Sequence, residues 1–358
     1  MKALVISKPM YEYILPLVEF PQDGDNFFIN NSIETINNSG ILSSIILSKY
    51  GIETSYTGMI GEDEEGKKVN ELLNSYNVNT DYIEISYNER TEKSYKIYNQ
   101  KSNKFTSINE KSLKTTLTKY KYDFYPEVII MDNGDYGANL AAINNFSDAK
   151  KIYIADKFTK DSVVYCNKCD YIIAPLAFGV DCTGVTVDLG KTKTIIQMFQ
   201  KFIDIHSANL IIRLNNFDFL YCVDDEVRLI KNINKNITNK ENLYNAILIY
   251  SLINTKNIEN SIKITNKVML ESGNDIDMIK NIPDFNVVNE IINNMPKEII
   301  ENKPIVNTET INNINNDINN SQINTNNNVI NEDNNVVIEK PKIATEKIEM
   351  GIEKSEKL

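Results

Sequence analysis

Two hydrophobic periodicities alternate through residues 1–297. Short apolar runs of strand length occur at residues 3–6, 54–59, 127–131, 151–155, 170–173 and 209–213. Between them, segments with apolar positions every three or four residues predict helices at 40–50, up to about 75, and at 136–145, 191–205, 243–253 and 257–270. Uninterrupted apolar strands are buried on both faces, so the alternation predicts an α/β domain with a mostly parallel central sheet. Further strand-like runs lie at 13–20 and 27–36 around the turn 21–24, and over 82–108 around the polar turn 100–104. Residues 219–223 and 227–230 read as a hairpin around Asp224 and Asp225. From residue 298 to 358 the pattern lapses into an Asn-rich, low-complexity stretch, predicted to be a disordered tail because it offers too little apolar surface to offset ordering.

Composition narrows the functional classes. With 358 residues and 42% hydrophobic content the chain can bury a full-sized core. A net charge of −11 argues against a nucleic-acid partner, which needs clustered Lys and Arg. The opening MKALVISKPM is too short an apolar run for a signal peptide, and no run reaches bilayer-spanning length. No membrane association and a cytoplasmic location are therefore expected. Cys166 and Cys169 form a single C-x-x-C, a weak metal or redox signal; with Cys182 and Cys222 they read as buried structural thiols, and no metal site is expected. His206, the only histidine, reads as a helix C-terminal or surface residue.

Residues 236–252, NITNKENLYNAILIYSL, are the most informative stretch. A helix that is apolar on most sides is a buried one, and Thr238 and Asn239 are candidate caps. This register resembles the nucleotide end of the ribokinase-like, PfkB-type carbohydrate kinases, whose motif reads Asp-Thr-x-Gly-Ala-Gly-Asp-x-Phe. The match sets Asn239, Lys240 and Glu241 on the Gly-Ala-Gly anion hole, Asn242 on the catalytic Asp and Tyr244 on the Phe. An amide cannot act as a base, and Glu241 puts a carboxylate where phosphate charge must sit, a repulsion of roughly 1 to 4 kcal/mol. Lys240 beside it reads as half of a solvated ion pair.

A second block resembles the same family's first signature: a helix, Leu47 to Gly51, a strand, Gly61-Glu62-Asp63-Glu64-Glu65-Gly66 and another helix. By that resemblance the sugar-lining Gly-Gly falls at Asn37 and Asn38, or at Ser39 and Gly40, and the sugar-binding Asn falls on Leu42, which cannot hydrogen-bond a hydroxyl. The nucleotide-side and magnesium positions fall on Pro175, Phe178, Arg213 and Asn215, where the family carries Asn, Glu and glycines. Thr91 matches a lid Thr, and the strands at about 10–36 and 85–110 correspond to a small β lid used for dimer contact. A short strand and helix at 282–288 close the fold as the family's do.

The resemblance thus implies a ribokinase-like three-layer α/β/α domain over residues 1–297, with ATP and Mg²⁺ as cofactors if activity is retained and a sugar or nucleoside as ligand. The replaced positions point to a pseudokinase that has lost phosphotransfer. Two alternatives stay open: an active kinase using a displaced carboxylate among Asp132, Asp156, Asp224 and Asp225, or a scaffolding subunit assembling through the lid. Asp132 and Asp156 stand at strand ends, where such residues cap turns more often than they hold ligands.

Overall fold

The computed structural model describes residues 1–111, 116–233, 240–255 and 257–294. The 298–358 tail expected from composition lies outside the described residues, as do Thr238 and Asn239.

The chain opens with β1 (Lys2–Ile6), β2 (Met10–Leu17), β3 (Ile33–Ile36), α1 (Ser39–Lys49) and β4 (Glu53–Thr57). Then come β5 (Met59–Gly61), α2 (Glu64–Ser75), β6 (Glu84–Ser86), β7 (Glu92–Asn99) and β8 (Lys104–Glu110). The centre holds β9 (Val128–Met131), α3 (Tyr136–Asn145), β10 (Lys150–Ile154), α4 (Ser162–Lys168), β11 (Tyr171–Pro175), α5 (Leu176–Thr183) and α6 (Thr192–Ile205). It ends with β12 (Asn209–Arg213), β13 (Phe219–Val223), β14 (Glu226–Ile230), α7 (Glu241–Thr255), α8 (Ile258–Leu270) and α9 (Phe285–Asn293).

Eight strands form the central sheet in the order β14-β13-β12-β11-β10-β9-β1-β4. Pairing is parallel from β12 to β4 and antiparallel through β13 and β14. The apolar runs become these strands because both faces are covered. Ala3, Val5, Ile130, Ile154, Ile173 and Ile211 join one cluster with α1, α7 and α8. The intervening Leu4, Ile6, Ile129, Tyr153, Ile172 and Ile212 are equally buried and point to the other face, as the two-residue period of a strand requires. Eleven consecutive residues of α7, Leu243 to Ile253, are buried because it is sandwiched between α1 and α8.

A second sheet, β3-β2-β7-β8, forms the expected lid. The strand predicted at 27–36 shrinks to Ile33–Ile36: β2 pairs with β3 only from Tyr11 to Ile14, and Phe28 is 92% exposed with no strand beside it. Nor is there a strand at 282–288. A single 3-10 turn, Met278–Asn281, leads to Pro283, and Asp284 caps α9 by accepting from Asn286 N at 2.8 Å.

The signature run 61–66 is a packing node between lid and body. Asp63 caps α2 by accepting from Gly66 N (2.8 Å), and it also accepts from Thr91 N (2.8 Å) and Thr91 Oγ1 (2.7 Å). Thr91 Oγ1 in turn accepts from Gly61 N at 2.9 Å, and Thr91 is completely buried. A Cβ on Gly61 would sit 2.6 Å from Glu89 O, so glycine is needed for this close approach. Asp63→Ala removes a cap and both Thr91 links; the expected loss is about 2 kcal/mol, the upper range for a cap, read as a lower urea midpoint with unchanged slope.

Candidate functional site

Where β1, β9 and β10 end and α7 begins, the molecule holds a cavity of about 490 Å³. Its walls are Lys8, Met10, Asn38, Ser39, Glu92, Lys111, Asp132, Asn133, Gly134, Ile154, Asp156 and Asn242. A crevice beyond the carboxyl ends of parallel strands is the usual ligand position in such sheets.

Asn242, in the first turn of α7, is fixed on every side. Its Nδ2 donates to Asn37 O (2.9 Å) and to Asn37 Oδ1 (3.2 Å), and its Oδ1 accepts from Ser39 Oγ (2.8 Å). Asn245 Nδ2 donates to Ser39 Oγ at 3.2 Å, one turn deeper. Asn38 caps α1 through Oδ1, accepting from Ile41 N at 2.7 Å, while its Nδ2 donates to Lys8 O (2.6 Å) and Ser7 Oγ (3.1 Å). Ser7 Oγ donates onward to Asp132 Oδ2. One chain of hydrogen bonds therefore runs from the end of β1 through the start of α1 to Asp132.

Asp132 is half-buried, and its other oxygen accepts from Gly134 N at 2.7 Å. Burial pushes its carboxyl up to about 7, against the pull of the Ser7 hydroxyl and the Gly134 amide. Asp156 reaches solvent at the cavity mouth; the surrounding protein raises its carboxyl too, opposed by Arg213, Lys157 and Lys111. Lys8 is ion-paired with Glu92 at 2.8 Å in the same wall.

A smaller cavity of about 190 Å³ adjoins, sharing Asp156 and lined also by Pro175, Arg213 and Asn245. The Arg213 guanidinium lies 5.2 Å from the Phe217 ring centroid and feels the charges of Glu241 and Asp156.

The positions singled out from sequence divide clearly. Asn38, Asn242, Asp132 and Asp156 share the large cavity; Asn37 backs it through Asn242; Pro175 and Arg213 line the small one. Gly40 stands behind the wall, where an added Cβ would lie 2.2 Å from Ser7 Cβ. Leu42 and Phe178 are fully buried core residues lining neither cavity, Phe178 edge-on to Phe158 at 5.5 Å. Asn215 is exposed in the β12–β13 turn. Asp224 and Asp225 form the β13–β14 turn with φ of +52° and +61°, away from both cavities. Asn239 lies outside the described residues.

Lys240 corrects the expectation of a solvated pair. It is 3% exposed, and its Nζ donates to Ser272 Oγ (3.0 Å), Gly273 O (2.7 Å) and Asn274 Oδ1 (2.9 Å), so it ties α7 to the end of α8. Glu241 is exposed at the helix N-terminus, where a carboxylate suits the dipole. Tyr244, expected at the family's Phe position, packs between Phe217 and Phe219 and donates its hydroxyl to Asn266 Oδ1. Sequence reading missed Lys8, Met10, Glu92 and Lys111. Lys8 was detectable, since it follows the first central strand at a Lys-Pro break.

The profile of the pfkB family carbohydrate kinases matches residues 39–236. No curated protein matches the sequence. Among solved structures, Arabidopsis thaliana ribokinase complexed with ribose and ATP superposes with a TM-score of 0.64 at 14% identity, covering 81% of this chain and 98% of that one. Ribokinase from Cryptococcus neoformans var. grubii in complex with ADP gives 0.63 at 14% identity, over 81% and 99%. The nucleoside kinase of Methanocaldococcus jannaschii gives 0.62 at 13%, over 82% and 98%. At these identities the superpositions establish the ribokinase-like fold, and the profile match over more than half of the sequence establishes kinship: this chain belongs to the pfkB family of carbohydrate kinases.

Proposed function

We propose that the protein is a PfkB-family pseudokinase: it keeps the polar cavity as a binding site for a sugar or nucleoside and has lost ATP-dependent phosphorylation. The observation that carries this reading is Asn242. At the position of the family's base it offers an amide whose donors and acceptor are already engaged by Asn37 and Ser39. Losing a general base typically costs about 10²–10⁴-fold in rate.

The nucleotide side supports the same reading. Phe178 lies in the core and Pro175 has no side-chain oxygen, so neither suits a magnesium ion, which takes oxygen ligands. Ribose with ATP and ADP, the ligands of the Arabidopsis and Cryptococcus ribokinases, define the panel to test. A thermal-shift screen of sugars, nucleosides, ADP and ATP is expected to give a rise in Tm with at least one polyol, since a ligand bound only by the native state stabilises it. A coupled assay over the same panel is expected to show no magnesium-dependent ATP turnover. Turnover abolished by Asn242→Ala would overturn the proposal.

A second reading, an active kinase with a displaced base, is favoured by Asp132. Its carboxyl faces the same cavity and titrates near 7, the range suited to a general base. Turnover that survives Asn242→Ala but disappears in Asp132→Asn selects this reading.

A further inference from the structure

Apart from the cavities, the layer formed by α4, α5 and α6 brings together Cys166, Cys182 and His206. Each offers one ligand atom, and the three atoms lie within 4.8 Å of one another. They come from three helices: Cys166 from α4, Cys182 from α5 and His206 from the C-cap of α6. We propose that these three side chains form a zinc site that pins α4, α5 and α6 together, independent of the ligand cavity.

The arrangement is built into the backbone. Cys166 O accepts from both Ser207 N (3.2 Å) and Ala208 N (3.0 Å), which stitches the segment carrying His206 to α4. Ser207 Oγ donates to Asn167 O at 2.9 Å, a third tie between the same two segments. The imidazole leans on Phe202 with centroids 5.0 Å apart, and its Nδ1 lies 3.1 Å from Asn167 Oδ1. Donation from Nδ1 to that oxygen fixes the tautomer whose Nε2 lone pair is available. A carbonyl partner on the ring nitrogen that does not ligate is what metal-binding histidines almost always have.

The donor set selects the ion. Two sulfurs and one imidazole nitrogen suit zinc, at about 2.3 Å to sulfur and 2.0 Å to nitrogen, which gives tetrahedral edges of roughly 3.5 Å. Closing the trio therefore takes on the order of 1 Å of side-chain movement. Cys166 is buried, while Cys182 and His206 are partly exposed, so an ion has a route in and water can fill the fourth position. Cys169, despite its C-x-x-C spacing from Cys166, stands at the C-cap of α4 and is not one of the three.

The full chain, reduced and stripped with a chelator, is titrated with Co²⁺ and then Zn²⁺. The expected result is one cobalt per chain, a thiolate-to-cobalt charge-transfer band, displacement by equimolar zinc and a higher Tm with zinc bound. Cys182→Ser and His206→Gln, both at partly exposed positions and checked by circular dichroism, are expected to lose the band. Asn167→Ala, which removes the partner of Nδ1, is expected to weaken zinc binding by about 10–100-fold without losing the band at saturation. Absence of the band, or its persistence in both Cys182→Ser and His206→Gln, overturns the site. So does a Cys166–Cys182 disulfide that forms in air despite equimolar zinc, detected by intact mass.

Discussion

Gly40→Ala is expected to cost about 3 kcal/mol or more, the upper end of what overpacking costs. The new Cβ would lie 2.2 Å from both Ser7 Cβ and Ser7 Oγ, a distance at which something must move. Neither side can yield cheaply. Gly40 is in the first turn of α1, anchored by the Asn38 cap. Ser7 is held by its N–H donating to Thr57 O at 3.1 Å and by its carbonyl accepting from the Tyr56 hydroxyl at 2.8 Å. If Ser7 rotates away, it abandons Asp132 and Asn38 together. The variant should therefore show a lower denaturant midpoint and also lose the ligand-induced rise in Tm. A midpoint within about 0.5 kcal/mol of the parent chain would mean that α1 and β1 are not in rigid contact.

Asp132→Asn is expected to shift in the opposite direction as pH rises. A carboxyl raised from its ordinary value of 3.8 to about 7 binds, in the folded state, a proton that the unfolded chain has already released across that interval. Unfolding therefore becomes easier as pH climbs from about 4 to about 7, and the cost stays constant above that. A shift of this size corresponds to at most about 4 kcal/mol, and because the side chain is only half-buried roughly half of that is expected. Asparagine carries no charge at any pH; its Oδ1 keeps the bond from Gly134 N, but the amide nitrogen in place of Oδ2 can no longer accept from Ser7 Oγ. Hence the variant should be slightly less stable than the parent near pH 4 and gain about 2 kcal/mol relative to it by pH 8. Parallel urea titrations at both ends of the range measure this difference, and a pH-independent difference would contradict the perturbed titration.

Much of the scaffold was legible in the apolar runs. β1 and β9 to β12 announce themselves as short unbroken runs, and α7 as a helix without a polar face, because burial on all sides leaves no period to hide. The short helices α4 and α5 were not legible: seven and eight residues give too few turns for a 3.6-residue pattern, and α5 follows directly on β11, whose last residue, Pro175, is its N-cap. Phe27 and Phe28 misled in the other direction, since their β-like composition found no partner strand. In the cavity, Asp132 and Asp156 could be picked out as strand-end carboxylates. Asp224 and Asp225 could not be told from them, because turn and site use the same residue types. Lys240, which reads as solvated next to Glu241, is buried because the end of α8 supplies three oxygens to it.

The alternation of apolar strands and helices and the resemblance to the pfkB family are local properties of the chain, readable without the structure, as is the presence of an amide at residue 242. Which side chains meet was decided only by the tertiary structure. Ser7, Asn38 and Asp132 span well over a hundred positions, and Cys166, Cys182 and His206 span forty. Such meetings depend on sheet order and helix packing, and no spacing along the chain encodes them.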